Sequence, residues 1–196
     1  LINIDPTDMI LCADSGLLVA LKAGLIPHAV IGDMDSLEAA GYDRKDLPAD
    51  VLWIQSPARK DLTDTALCME YALEQGCDEL VILGGLGGRL DHTLANLQNM
   101  VGYSRKGLTV SLLDRDTRIF ILSDGTQRLD ALPGFSVSIF SWSDQSEGVT
   151  LTGMAYPLAD ATLTPDFPLG VCNEILEDAA SIQVRKGTLL VVCSKK

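Results

Sequence analysis

The chain has 196 residues, 47% hydrophobic and 21% charged, an ordinary globular composition that suits one large or two small domains. Its formal net charge of -12 argues against a nucleic-acid surface, and no apolar run reaches the roughly 18–20 residues of a membrane-spanning helix. Five cysteines at scattered spacings, with no CxxC pair, read as reduced, mostly buried thiols of a cytoplasmic protein. The opening residues carry no basic-then-apolar signal pattern. Leu, not Met, stands first, so a native start ahead of Leu1 is expected.

Met9 to Ala13 is a continuous apolar run and predicts a buried strand. Asp14-Ser15-Gly16 can cap a helix over 17–23 that Gly24 ends. After Pro27 comes a second strand, Ala29 to Ile31, and then Gly32-Asp33-Met34-Asp35-Ser36. Strand, helix and strand with short connections predict a parallel sheet. On an extended backbone Asp33 and Asp35 point to the same side. Two carboxylates held so close repel, and hard oxygen ligands suit Mg²⁺ or Ca²⁺. Gly-Asp and Asp-Ser are also common turn dipeptides, so this stretch alone reads equally well as a solvated turn. His28 has no partner nearby in sequence and receives no role.

Val51 to Ile54 is a third strand. Lys60-Asp61-Leu62-Thr63-Asp64 then opens a helix to about Gln75, with Leu62, Ala66, Met69 and Leu73 on one apolar face. Dipole and capping chemistry explains one Asp in a first turn. It explains Lys60 beside two of them less well. Glu79 to Leu83 is a fourth strand, followed by Gly84-Gly85-Leu86-Gly87-Gly88-Arg89-Leu90-Asp91-His92 and a helix that presents Leu90, Leu94, Leu97 and Val101. A glycine-rich turn between strand and helix lets backbone N–H groups approach an anion, and Arg89 adds a permanent charge with bidentate phosphate geometry. The turn is neither a Walker A loop nor a G-x-G-x-x-G dinucleotide pattern.

Beyond a fifth strand, Leu108 to Leu113, the pattern changes. Short strands are expected at 118–122, 127–129, 135–140, 149–151, 161–163, 181–185 and 188–193, with Lys186-Gly187 as the turn of a final hairpin. The fold class is therefore α/β plus all-β. A parallel-sheet α/β domain over 1–113 precedes a β-sandwich or barrel domain over 114–196, with the boundary near Asp114.

Three motifs stand in order: Gly-Asp-Met-Asp-Ser (32–36), Lys-Asp-Leu-Thr-Asp (60–64) and Gly-Gly-Leu-Gly-Gly-Arg-Leu-Asp-His (84–92). With a late Asn173-Glu174 and the change from α/β to β, they resemble thiamine pyrophosphokinase over nearly the whole chain. The resemblance implies transfer of pyrophosphate from ATP, as co-substrate, to the hydroxyl of thiamine, giving thiamine diphosphate and AMP. It implies Mg²⁺ on Asp33, Asp35 and Asp64, with Asp61 close by and Arg89 completing the catalytic group. It places Asp14, Lys60, Thr63, Gly85, Gly87 and Gly88, with Arg89, Asp91 and His92, on the ATP side. Asn96, Tyr156, Cys172 and Asn173 fall on the thiamine side, and the family is a homodimer whose thiamine lies between the α/β domain of one chain and the β domain of the other.

The chain departs from the family pattern in three places. The family's first strand, ending in Gly-Gly, is expected ahead of Leu1. Ser15 stands where Gly is usual, and Cys172 where Ser is usual, which leaves the acceptor less secure than the reaction type. A pyrophosphokinase for another small alcohol, such as a hydroxymethylpterin, has the same ATP side. A non-catalytic nucleotide- or thiamine-binding regulator has the same fold, but Asp33, Asp35, Asp64 and Arg89 argue for catalysis.

Overall fold

Ala29-Val30-Ile31-Gly32 offers no polar side chain to water, and the strand it forms is buried at every position. The computed structural model describes residues 4–57 and 61–196. They fall into two units, Leu1–Cys77 and Asp78–Lys196.

In the first unit, β1 (Leu11–Ala13), β2 (Ala29–Gly32) and β3 (Leu52–Gln55) form a parallel sheet with β2 in the centre. Strand alternation gives the sheet two apolar faces. On one, Cys12 and Val30 pack with Leu17 of α1 (Gly16–Lys22), Leu37 of α2 (Asp35–Ala39), Met34 and Val51. On the other, Ala29 and Ile31 pack with Cys68 of α3 (Asp64–Glu74). Ile10 N–H donates to His28 Nδ1 at 3.0 Å, so the histidine without a sequence role pins the entrance of β1.

The second unit begins with β4 (Glu79–Leu83), α4 (Leu90–Ser104) and β5 (Thr109–Leu113), the two strands parallel. The helix buries Asn96, Met100, Val101 and Tyr103, while Leu90 and Leu94 are open. The expected apolar stripe is therefore buried only toward its end, at Val101 with Leu97 half-buried, while residues 96, 100 and 103 at i, i+4 and i+7 form the rest of the packed face. Antiparallel pairing carries β5 into β6 (Thr117–Asp130), so β4 and β5 belong to the sheet of the β half. The division between the units thus falls at Cys77–Asp78, ahead of the change of pattern near Asp114.

Two segments each read as a pair of short strands are single long ones. β6 spans both 118–122 and 127–129, and β11 (Ala179–Lys195) spans the expected final hairpin. They pair along their whole length except at one corner, where three residues of β11 between Val184 and Thr188 stand against one of β6, Asp124. Lys186-Gly187 is thus a bulge, not a turn. Gly187 has φ 117°, and its N–H donates to Asp124 Oδ1 at 2.7 Å. Beyond the corner the inward side of each strand changes from even to odd numbers: Phe120 and Leu122 to Leu129 in β6, Ala180, Ile182 and Val184 to Leu189, Val191 and Cys193 in β11.

One half of β11 pairs with β8 (Ser146–Thr152), the other with β7 (Phe135–Ser141). β9 (Leu158–Leu163) extends the first half and β10 (Gly170–Asn173) the second. Side chains from both halves share one core, so the bent sheet is a sandwich and not a closed barrel. No described helix is long and apolar enough to cross a membrane.

A Cβ at Gly187 would lie 2.9 Å from the carbonyl oxygen of Gln145 and 2.9 Å from Ser146 Cα. Gly187→Ala should therefore cost roughly 1–3 kcal/mol, as strain and overpacking do. Urea unfolding checks this. An unchanged midpoint would mean that the corner yields.

Candidate active site

Two acidic turns leave the adjacent parallel strands β1 and β2 at the same end of the sheet. Asp14 follows β1 with φ 42°, and its N–H donates to Ile31 O at 3.0 Å, tying the turn to β2. Ser15 has φ -57°, ψ -10°, so the glycine freedom usual at that position is not needed; the left-handed angle falls on Asp14. Asp33 follows β2, Met34 takes φ 68°, and Asp35 starts α2. Asp14, Asp33 and Asp35 each bring a carboxylate oxygen within 4.8 Å of the others. The convergence of Asp33 and Asp35 is made by the left-handed residue between them, not by the alternation of an extended strand.

Asp14 is 9% exposed, and its Oδ1 has no hydrogen-bond partner. A buried carboxylate oxygen left without a partner costs free energy unless a cation meets it. Burial pushes the Cys12 thiol up to about 11, so this neighbour in β1 adds no negative charge near neutral pH. The three clustered groups offer oxygen donors only, which suits a hard cation such as Mg²⁺ or Ca²⁺.

Asp64 opens α3, where the Thr63 side chain accepts from Ala66 N–H at 3.2 Å. It is not one of the three clustered residues, yet it lies against the same backbone: a Cβ at Gly32 would stand 3.2 Å from Asp64 Cγ and 3.1 Å from Asp14 Cβ. Asp61 is exposed in the loop before the helix, and Lys60 lies outside the described residues.

In the second unit the glycine loop leads from β4 to α4, with Gly87 at φ 86° and Gly88 at φ 64°. Arg89 forms a bidentate pair with Asp91, Nε–Oδ1 3.1 Å and Nη2–Oδ2 2.5 Å, in the open. The hydrogen bond from Arg89 holds the Asp91 carboxyl below its ordinary range, and the guanidinium is raised in turn. Asp91 Oδ1 also accepts from His92 N–H at 3.0 Å. Asn96 is buried, and its amide donates to Gly85 O at 3.0 Å, bracing the loop from the helix.

Further along, Tyr156, Leu158, Leu169, Val171 and Asn173 line a cavity of about 290 Å³. Asn173 is 3% exposed and its amide bonds the backbone through both ends: Oδ1 accepts from Tyr156 N–H and Glu174 N–H, both at 2.9 Å, and Nδ2 donates to Tyr156 O at 2.7 Å. The Tyr156 side chain is thereby left open at the rim, 67% exposed. Cys172 is exposed beside the cavity, at φ 60°, with its N–H on Ser138 Oγ. Asn96 lines no part of this cavity.

The family model "Thiamin pyrophosphokinase, catalytic domain" matches residues 3–112, and "Thiamin pyrophosphokinase, vitamin B1 binding domain" matches residues 127–189. The chain belongs to the thiamin pyrophosphokinase family. Thiamine pyrophosphokinase of Bacillus subtilis is 30% identical over 182 residues, 92% of this chain and 85% of that protein. The crystal structure of a Bacillus subtilis thiamine pyrophosphokinase superposes with a TM-score of 0.89 at 28% identity, covering 98% of this chain and 90% of that one. That of an Enterococcus faecalis thiamin pyrophosphokinase family protein gives 0.82 at 29% identity, over 99% and 92%. The catalytic-domain match contains Asp14, Asp33, Asp35, Asp61, Asp64, Arg89 and Asp91; the vitamin B1 match contains Tyr156 and Asn173.

The sequence reading set Asp14 among the nucleotide contacts and missed its place in the carboxylate cluster. The available signal was an Asp directly after a buried strand adjacent to another Asp-bearing strand. Leu158, Leu169 and Val171 gave no signal, since apolar residues in strands read as core.

Asp14→Asn removes one of three like charges, so the variant in EDTA should melt several degrees above the parent chain. It should also lose most of the stabilisation that saturating Mg²⁺ gives the parent, about 2.7 kcal/mol at a hundred times Kd. Scanning fluorimetry with and without Mg²⁺ checks both; an undiminished Mg²⁺ response removes Asp14 from the site.

Proposed function

We propose that this chain is a Mg²⁺-dependent thiamine diphosphokinase that moves the terminal pyrophosphoryl group of ATP onto the hydroxyl of thiamine and releases AMP. The observation that carries the reading is the partnerless, buried Oδ1 of Asp14 within its carboxylate cluster, on a chain of this family. Mg²⁺ supplies charge to the triphosphate when bound. Asp14, Asp33 and Asp35 hold it, and Asp64, packed against Gly32, adds a further carboxylate to the same wall.

The glycine loop offers backbone N–H groups to phosphate oxygens, and Arg89, oriented by Asp91, stabilises charge as it develops. Asn96 serves by keeping that loop in shape. The thiamine hydroxyl attacks the β-phosphorus and gives up its proton to solvent, and the bond from that phosphorus to the AMP oxygen breaks. Such a transfer asks for position and charge rather than covalent catalysis.

Tyr156 stacks on the thiazolium cation, and Asn173 holds the Tyr156 backbone in place. The chain acts as a homodimer in which this rim faces the partner's catalytic domain. Support comes from the open apolar side chains of Tyr156, Phe167, Leu169 and Leu176, which a monomer would leave in water. The scattered spacing of the five cysteines, with Cys12, Cys68 and Cys193 buried, supports a reducing, cytoplasmic setting.

Incubation with ATP, Mg²⁺ and thiamine should give thiamine diphosphate and AMP by mass. Stoichiometric ADP with thiamine monophosphate as first product overturns the reading, and turnover of a hydroxymethylpterin in place of thiamine moves the acceptor. Tyr156→Ala should raise the thiamine KM about 2- to 30-fold, the equivalent of roughly 0.5–2 kcal/mol, with little change in the ATP KM.

A further inference from the structure

Met34 lies between the two carboxylates of its turn and does not share their solvent. Its backbone is left-handed, φ 68° and ψ 10°, an uncommon state for a residue with a long side chain. Its side chain is 1% exposed and belongs to the core beneath β2, with Cys12, Leu17, Val30, Leu37 and Val51. Its carbonyl oxygen accepts from Glu38 N–H at 3.0 Å and so starts α2. One residue therefore fixes three things: the reversal of the chain after Asp33, the first turn of the helix that carries Asp35, and the depth of both against the sheet.

A left-handed turn open to solvent would be filled by Gly, Asn or Asp. An apolar side chain in that conformation stays there only if the core holds it. We infer that Met34 is a positioning residue for the cation site: its buried side chain locks the left-handed turn that sets Asp33 and Asp35 beside Asp14. This rests on the reading of the three carboxylates as a divalent-cation site.

The test uses the whole chain and Mn²⁺ alone, followed by the EPR signal of free Mn²⁺. Met34→Gly accepts the left-handed angle but loses the anchor. Its Mn²⁺ Kd should rise about tenfold or more. Met34→Val keeps an apolar side chain, but its β-branch resists positive φ, and its Kd should rise as well. Met34→Leu, apolar and unbranched at Cβ, should stay within about threefold of the parent chain. Val51→Ala, a cavity in the same core away from the turn, should lower Tm and leave the Kd unchanged.

Unchanged Kd values in folded Met34→Gly and Met34→Val would overturn the inference. So would a Val51→Ala Kd that rises as far as theirs, since general loosening of the core would then explain both. Should Met34→Gly fail to fold, the contrast between Met34→Val and Met34→Leu decides alone. If the parent chain binds no Mn²⁺, the carboxylate reading itself fails and this inference with it, an outcome distinct from parent binding that survives every Met34 change.

Discussion

Like charges held together are the constraint on which the first unit is built. Carboxylates at about the separation of Asp14, Asp33 and Asp35 repel by a few kcal/mol per pair at an effective dielectric near 20. Left-handed backbone at two residues other than glycine adds roughly 1–2 kcal/mol each, less for Asp than for Met. Both costs fall where β1 and β2 end, and the sheet beneath offsets them. Val30, Leu17 and Leu37 are fully buried, and the Asp14 N–H bond to Ile31 fastens one turn to the next strand. A fold that gathers local strain at its acidic end keeps the carboxylates in place because apolar packing beneath holds the turns.

The second unit separates rigid support from open chemistry in a similar way. Asn96 and Asn173 are buried amides whose described hydrogen bonds go to backbone. Each steadies a loop that presents something else: Arg89 after the glycines in one case, the Tyr156 side chain in the other. A buried amide can thus set the shape of a loop whose other side chains stay open.

Much of this was readable from residue order. Continuous apolar runs marked the strands of the first half, of which β2 is buried at every position, and the glycine-rich turn lay where a strand passes into a helix. What could not be read depended on tertiary context. Met34 looks like any residue of a turn until the core that holds it is known, so the meeting of Asp33 and Asp35 was ascribed to strand alternation. Leu90 and Leu94 fit a helical stripe, but α4 turns the side carrying Asn96 and Met100 inward. Lys186-Gly187 has the composition of a hairpin turn; only the partner strand, with Asp124 placed to accept from Gly187, makes it a bulge.

The corner shared by β6 and β11 bears on how such chains can change length over evolutionary time. The inward side of both strands switches between even and odd numbers at one place. A single-residue insertion anywhere else along either strand would turn one half of that strand inside out, exchanging core side chains for solvent-facing ones. The bulge is already out of step by two residues and could absorb another without disturbing either half. Indels among related chains should therefore gather at this corner and in the links between strands, and the ladders on either side should keep their lengths even where most side chains have been replaced.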